Sequence, residues 1–583
     1  MRTSNLGRVV AVLALAAGMA GCQQGPEQAP AGATPAAVTY PAPRFPGYLK
    51  KPDSIDDLMP TARQFAQQKA WRGGLGLGVV NPGETVLIVA GVEAEDMILE
   101  AIEKAASERG VTVIVKRDYE LVGVSQAKAD AFRTLRQSFT AEAGYMEASN
   151  WVETQFPEPD KTKAWIKERN PRLYDTLFPK SRDMSPEMKD VWAKLQRDSV
   201  GKAIQAYLTA NPTLRGVFWG KGGGPGLMRA LYPLDKKFMG FFTNDNRWEM
   251  MSRLTDYPSD VWLLTEEQAM EPLAYVDKLE VTDPEGTNVW SDVSEIQAER
   301  WVKGAYQRGH LYLFPNQASG RFGYSVVDYP ALQSQWIPRE PMSLIQGTVA
   351  ATNGHTGFYP RMEVEYKDGY VKEVRGGGTY GDALRLMLQY PGINEVQYPF
   401  HEHKGFFYLY EIASGTHPKW FRNPTTMEEG ALSPERNRSA VIHWGLGLRL
   451  WHDPDAPIES PSWLKFTAKT NMPKDHGWHM HSYFPTYRVH LRNTQKWMNL
   501  LDKGRMTSLD SPEARALASR YGDPSAVLAE DWTPEIPGIN APGDYMKDYA
   551  PDPWAYSKQV IDKAVNGTYE HYFPLRKPGA KTN

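Results

Sequence analysis

Pro82-Gly83-Glu84-Thr85-Val86-Leu87-Ile88-Val89-Ala90 opens the part of the chain that decides its fold. Pro82-Gly83-Glu84 is a turn, and the apolar run Thr85 to Ala90 is a short buried strand. A helical pattern follows from Ala94 to Arg109, with Met97, Ile98, Ala101, Ile102 and Ala105 on one face. Gly110 stops it, and Val111 to Lys116 is a second strand. This β-α-β unit predicts parallel pairing with a right-handed crossover. Downstream, residues 120–212 are mostly helical, broken by prolines near 157–159, 171 and 179. A strand from Gly216 to Trp219 runs into Gly220-Lys221-Gly222-Gly223-Gly224-Pro225-Gly226 and a further helix. That loop lacks the Gly-Lys-Ser/Thr ending of a phosphate-binding loop, and Pro225 removes a backbone donor, so it reads as a structural turn.

The second half has a different texture. Val276 to Val281 is a strand ending in Thr282-Asp283-Pro284-Glu285-Gly286-Thr287, after which short β segments, turns and aromatics dominate to about residue 500. Met362–Tyr366 and Tyr370–Val374, joined by Lys367-Asp368-Gly369, predict a hairpin. The expected fold is an α/β N-terminal domain over 47–285, with the helical insertion at 120–212, followed by an α+β metal-binding domain over 286–500. Residues 501–583 read as a C-terminal extension wrapping the body.

The N-terminus carries the parts of an export signal: Arg2 and Arg8, an apolar run from Val9 to Ala20, then Ala20-Gly21 before Cys22. The run is shorter than the roughly 20 residues a spanning helix needs. Met19-Ala20-Gly21-Cys22 resembles a bacterial lipobox, with Met19 in place of the usual Leu. Cys22 is therefore expected to carry a lipid, residues 1–22 to be a lipoprotein signal, and 23–46, rich in Pro and Ala, to be a tether. Gln23 rather than Asp after the cysteine points to the outer membrane, facing the periplasm. Cys22 is the only cysteine, which excludes an internal disulfide and a thiol nucleophile. A net charge of −3 from 66 basic and 69 acidic residues gives no bias towards nucleic acid.

Histidines concentrate the chemistry: nine of the 12 lie between 401 and 490. His479-Met480-His481 falls in a strand-like run, where residues two apart face the same side and both imidazoles can reach one ion. His401-Glu402-His403 has the same spacing. His443 and Glu411 lie in apolar segments, and buried imidazoles with a carboxylate need a partner, for which a metal cation serves.

Several runs resemble the aminopeptidase T family of thermophilic metalloproteases, the leucyl aminopeptidases. They are the opening from Pro82, Val281-Thr282-Asp283-Pro284-Glu285-Gly286-Thr287, and the hairpin ending Glu373-Val374-Arg375-Gly376-Gly377. Tyr410 to Pro418 resembles the family's Gly-Glu-Leu run, and Val441 to Gly447 resembles its His-x-Ala-Leu-Gly run. The resemblance implies metal ligands at Glu411, His443 and His479. The family's His-x-Asp aspartate is His481 here, and its first glutamate falls at His310. Imidazole for carboxylate at both places keeps a zinc site, raises its charge, weakens a second dication and makes bound water more acidic.

The leading function implied is a metal-dependent hydrolase of peptide-like substrates, with zinc on Glu411, His443, His479 and His481, joined by His310. Glu411 is the only carboxylate in that set, and Glu402, Glu435 and Tyr483 are candidate general bases by position. The alternatives are an Fe(II) ring-cleaving dioxygenase of the dihydroxypyridine type, using Glu411, His443 and His479, or a non-catalytic metal- or ligand-binding lipoprotein. Expected partners are a small peptide or other small-molecule substrate, the membrane through the lipid anchor alone, and a second copy in a homodimer.

Overall fold

In a computed structural model the opening unit takes the expected form. The model describes residues 40, 54–71, 74–92, 94–137, 143–219, 238–240, 257–304, 309–314, 344–396, 403–420, 434–447, 461–475, 477–531 and 533–565. Thr85–Ala90 and Thr112–Arg117 are parallel strands joined by the helix Asp96–Glu108. Buried Ile98, Ala101, Ile102 and Ala105 form the helix's inner stripe, and Gly110 adopts the left-handed conformation (φ 74°) that ends it. Thr85–Ala90 lies between Thr112–Arg117 and Leu214–Trp219, which pairs in turn with Phe238–Gly240, all in parallel. The short strands Gly74–Leu75 and Ala70–Trp71 complete this six-stranded sheet. Between its fourth and fifth strands in sequence, the described residues of 126–210 are mostly helical, with two helices starting at Pro159 and Pro171.

The second half is antiparallel. Its eight-stranded sheet runs in the spatial order Tyr370–Gly376, Phe358–Lys367, Gln346–Asn353, Asn288–Asp292, Val276–Thr282, Thr486–Leu491, Trp497–Asp502 and Arg505–Met506. The predicted hairpin is present, with Lys367 opposite Tyr370. Asp368 and Gly369 have φ of 54° and 79°, the paired positive values of a two-residue turn whose twist matches that of the strands. A second, four-stranded antiparallel sheet is ordered Trp478–Ser482, Ile442–Leu446, Leu409–Gly415, His310–Tyr312. The three strands Leu409–Gly415, Ile442–Leu446 and Trp478–Ser482 are buried along their whole length, so the polar Glu411, His443, His479 and His481 that they carry are enclosed with them. The result is a mixed α/β arrangement with one mostly parallel sheet, antiparallel only at its Ala70–Trp71 edge, and two antiparallel sheets.

Described residues after 506 pack onto this body. Lys419 Nζ meets Asp531 Oδ1 at 3.2 Å with both side chains 1% exposed, and it also bonds the Ala526 and Ala529 carbonyls. Tyr545 Oη donates to Glu285 Oε1 at 2.9 Å, and the Arg361 amide bonds the Ala550 carbonyl. Among the described residues, no helix is long and apolar enough to cross a membrane. The signal region, Cys22, the glycine loop 220–226, His401 and Glu402 lie outside the described residues.

Candidate metal centre

The four-stranded sheet collects every ligand named from sequence. His443 is directly opposite His481, and Gly445 opposite His479, across one antiparallel pair. Glu411 pairs with Gly445, Ala413 with His443, and Gly415 with His310. Directly opposed residues point to the same side, and so do residues two apart. His310, Glu411, His443, His479 and His481 therefore share one face of one sheet.

Two further residues complete the cluster. His355 lies in the tight connection between Gln346–Asn353 and Phe358–Lys367, inside Asn353-Gly354-His355-Thr356-Gly357. Glu147 is in the first turn of the helix Met146–Gln155, within the segment read as an insertion. Thr356 holds that helix in place: its hydroxyl accepts from the Glu147 amide at 3.1 Å and donates to the Gly144 carbonyl at 2.8 Å. Trp151, one helical turn on, packs on Trp478 with ring centroids 5.7 Å apart and donates to the Asp475 carbonyl at 2.9 Å. Gly354 is obligatory here, because a Cβ would stand 2.6 Å from the His479 carbonyl oxygen and 3.1 Å from Glu147 Oε2.

The contacts run as a chain through the cluster. His310 Nε2 lies 3.0 Å from Glu411 Oε1, and His443 Nε2 lies 3.4 Å from Glu411 Oε2. On its other side, His443 Nδ1 is 3.3 Å from both His481 Nε2 and His355 Nε2. His355 Nδ1 is 3.6 Å from Glu147 Oε1, which also bonds His479 Nδ1. Tyr380 Oη donates to Glu147 Oε2 at 3.3 Å, and Tyr410 Oη is 3.4 Å from His479 Nε2. Arg436 reaches in from the short helix Pro434–Asn437, with Nη1 3.0 Å from His355 Nε2.

Three groups of donors could hold an ion: His310 with Glu411 and His443, His355 with His443 and His481, and Glu147 with His355 and His479. Within each, the ligand atoms lie within 4.8 Å of one another. Burial holds the His355 and His443 imidazoles well below the usual histidine range, and for His355 the neighbouring His479 and Arg436 add to it. Neutral imidazoles are the form that binds metal. Burial opposes ionisation of Glu411, but the His443 and His310 rings outweigh it and hold its carboxyl well below the usual range. With its side chain 19% exposed against 8% or less for His310, Glu147, Glu411, His443 and His479, His355 marks the open side of the cluster.

No protein-family model matches the chain, and no curated protein matches it. Among solved structures it is similar to the 2,5-dihydroxypyridine dioxygenase of Pseudomonas putida KT2440, at 10% identity and a TM-score of 0.38. That similarity covers 79% of this chain and 99% of the other. A likeness so loose assigns no chemistry.

The structure thus brings together all five ligands named from sequence and adds His355 and Glu147. Glu411 is not the sole carboxylate, because Glu147 enters from a helix more than 160 residues before any of the five residues named from sequence. Nothing in its local spacing marks it. His355 carried a weak signal, a histidine between two glycines where a hairpin must turn. The other described histidines belong elsewhere. His417 packs against Tyr257 and Trp262, His490 bonds Asp277 at 2.6 Å, and the His403 carbonyl accepts from Tyr370. Of the candidate bases, Glu435 and Tyr483 are both buried, with the tyrosine hydroxyl donating to Glu435 Oε1 at 3.0 Å.

Proposed function

We propose that this chain is a metal-dependent hydrolase of peptide-like substrates, related in kind to the leucyl aminopeptidases that its sequence resembles. The observation that supports it is the buried cluster of five sheet-borne and loop-borne imidazoles with two carboxylates, in which burial keeps His355 and His443 neutral and His355 is the most exposed member. Imidazole-rich sets of this kind suit zinc, which lowers the pKa of bound water and polarises a carbonyl. The chain's own groups supply the rest. Arg436 puts a fixed positive charge where a substrate's carboxylate or developing oxyanion would be received. Glu435, one residue before Arg436 and hydrogen-bonded by Tyr483, is assigned with that tyrosine as the proton carrier.

A second reading has its own support. The groups His310/Glu411/His443 and Glu147/His355/His479 each join two imidazoles to one carboxylate, the donor set that also suits ferrous iron in oxygenases. A non-catalytic metal- or ligand-binding protein is the third. The reading also places the mature chain in the bacterial envelope, lipid-anchored at Cys22 on the periplasmic side of the outer membrane, with a homodimer as its assembly.

The deciding experiment is elemental analysis of the purified chain, joined to a screen of aminoacyl amides and dipeptides with and without chelator. Near-stoichiometric zinc with chelator-sensitive amide cleavage supports the hydrolase. Iron with substrate-dependent oxygen uptake moves the assignment to the dioxygenase, and metal binding without either activity leaves a binding protein.

A further inference from the structure

The contacts of Arg436 and Glu411 assign which nitrogens of His355 and His443 carry protons. Arg436 has only N–H groups to offer, so its contact with His355 Nε2 at 3.0 Å requires a lone pair on that nitrogen. The proton of neutral His355 is then on Nδ1, which faces Glu147. His443 turns Nε2 towards Glu411, and a neutral ring donating there has its lone pair on Nδ1. His355 Nε2 and His443 Nδ1 are thus two lone pairs facing each other at 3.3 Å with no proton between them. His481 Nε2 stands at the same 3.3 Å from His443 Nδ1. Facing lone pairs repel unless a cation lies between them, and in this structure the guanidinium of Arg436 is the cation at hand.

We propose that His355 Nε2, His443 Nδ1 and His481 Nε2 form a tri-imidazole site for one divalent transition metal, with Glu411 and Glu147 outside the coordination sphere. The spacing fits: ligands about 2.1 Å from a tetrahedral ion lie about 3.4 Å apart. The ring centroids of the three pairs, at 4.8, 5.3 and 5.4 Å, suit imidazoles radiating from one point. The third group fits less well: His355 and His479 are stacked at 3.9 Å, closer than two rings held edge-on by one ion, whereas His355 and His443, also near-parallel at 24°, stand 4.8 Å apart. In the first group, His310 and Glu411 sit at 3.0 Å, a hydrogen-bond separation. The carboxylates instead occupy the far nitrogens, Glu411 on His443 and Glu147 on His355, where outer carboxylates fix the tautomer and raise ligand basicity. The proposal rests on the metal-dependent reading only in requiring that a metal binds. It differs in chemistry from a carboxylate-ligated site, since a tri-imidazole ion keeps its full double positive charge.

The test is X-ray absorption on the full chain loaded with zinc, with zinc affinities of His355→Ala, His481→Ala, His310→Ala and Glu411→Gln. A first shell of three imidazoles and one light atom is expected. His355→Ala and His481→Ala should lose more than ~100-fold in affinity, whereas His310→Ala and Glu411→Gln stay within the ~10–100-fold typical of outer partners. A shell of two imidazoles and a carboxylate, with His310→Ala losing the metal and His481→Ala keeping it, overturns the proposal and leaves a metal-dependent enzyme standing. Failure of the wild-type chain to bind zinc, iron or manganese overturns both. Since an alanine variant that does not fold gives no affinity, the wild-type spectrum alone decides in that case.

Discussion

At the scale of single residues, the cluster is a set of charges and lone pairs held at fixed distances, so small changes have definite signs. Glu147 accepts from His479 Nδ1 and faces His355 Nδ1, and its isosteric replacement keeps the shape while removing the charge. Glu147→Gln is expected to weaken zinc binding by about 10–100-fold at neutral pH with little change in melting temperature, as read by competition with a chelating dye. Arg436 has the opposite sign. Its guanidinium competes with the ion for the His355 Nε2 lone pair, so Arg436→Gln should tighten zinc binding while raising KM for any anionic substrate. Weaker zinc binding in that variant would show that Arg436 supports the site rather than competing for it. These two residues also show the limit of sequence reading. His443, Glu411 and the His479/His481 pair were legible because strand periodicity puts them on one face and their apolar surroundings require a partner. Glu147 was not, because nothing local distinguishes it from the other helix carboxylates. Only the docking of Trp151 on Trp478 and of Thr356 on the helix start brings it to the centre.

At the scale of elements, the turn Asp283–Thr287 joins two strands of the large sheet and is also the anchor for the C-terminal segment. Burial pushes the Glu285 carboxyl up to about 8, with the Asp283 charge adding to it, so at neutral pH it keeps its proton between Thr352 and Tyr545. Between the ordinary value of 4.5 and about 8, the folded chain holds a proton that the unfolded chain gives up. Stability from this group is therefore full below pH 4.5 and falls as pH rises through that window. A melting series from pH 5 to 8 should show a decline in the wild type that is flatter in Glu285→Gln; equal slopes would mean that Glu285 is ionised in the folded chain. The β-α-β unit was readable to within a residue or two and the Asp368-Gly369 turn in place, although the hairpin's first strand begins four residues before Met362, since each is encoded by a short pattern. The partition of the antiparallel strands into two sheets was not, because period-2 alternation says which face is buried but not which strand lies beside which.

At the scale of the whole molecule, the last segment is tied to the body by a buried ion pair. Asp531→Ala would remove the carboxylate partner of the enclosed Lys419 ammonium. Removing one member of a buried pair costs about 3–5 kcal/mol. The variant should unfold at correspondingly lower denaturant and become open to proteases near 523–533, whereas unchanged cleavage would show that the pair is dispensable. Composition indicated that an extension wraps the body, but not this attachment, since Lys419 and Asp531 are ordinary charged residues until both are enclosed.

The cluster has a further consequence in time. Glu147 and His479 touch although 332 positions separate them, and the sheet between them takes its strands from positions 310 to 482. Such distant pairings form late and slowly. A chain not yet made past Ser482 lacks part of this donor set, so an ion held by the cluster would be captured only after that strand docks. Which metal a living cell installs is then decided by the ions available where folding finishes, not by those surrounding the ribosome.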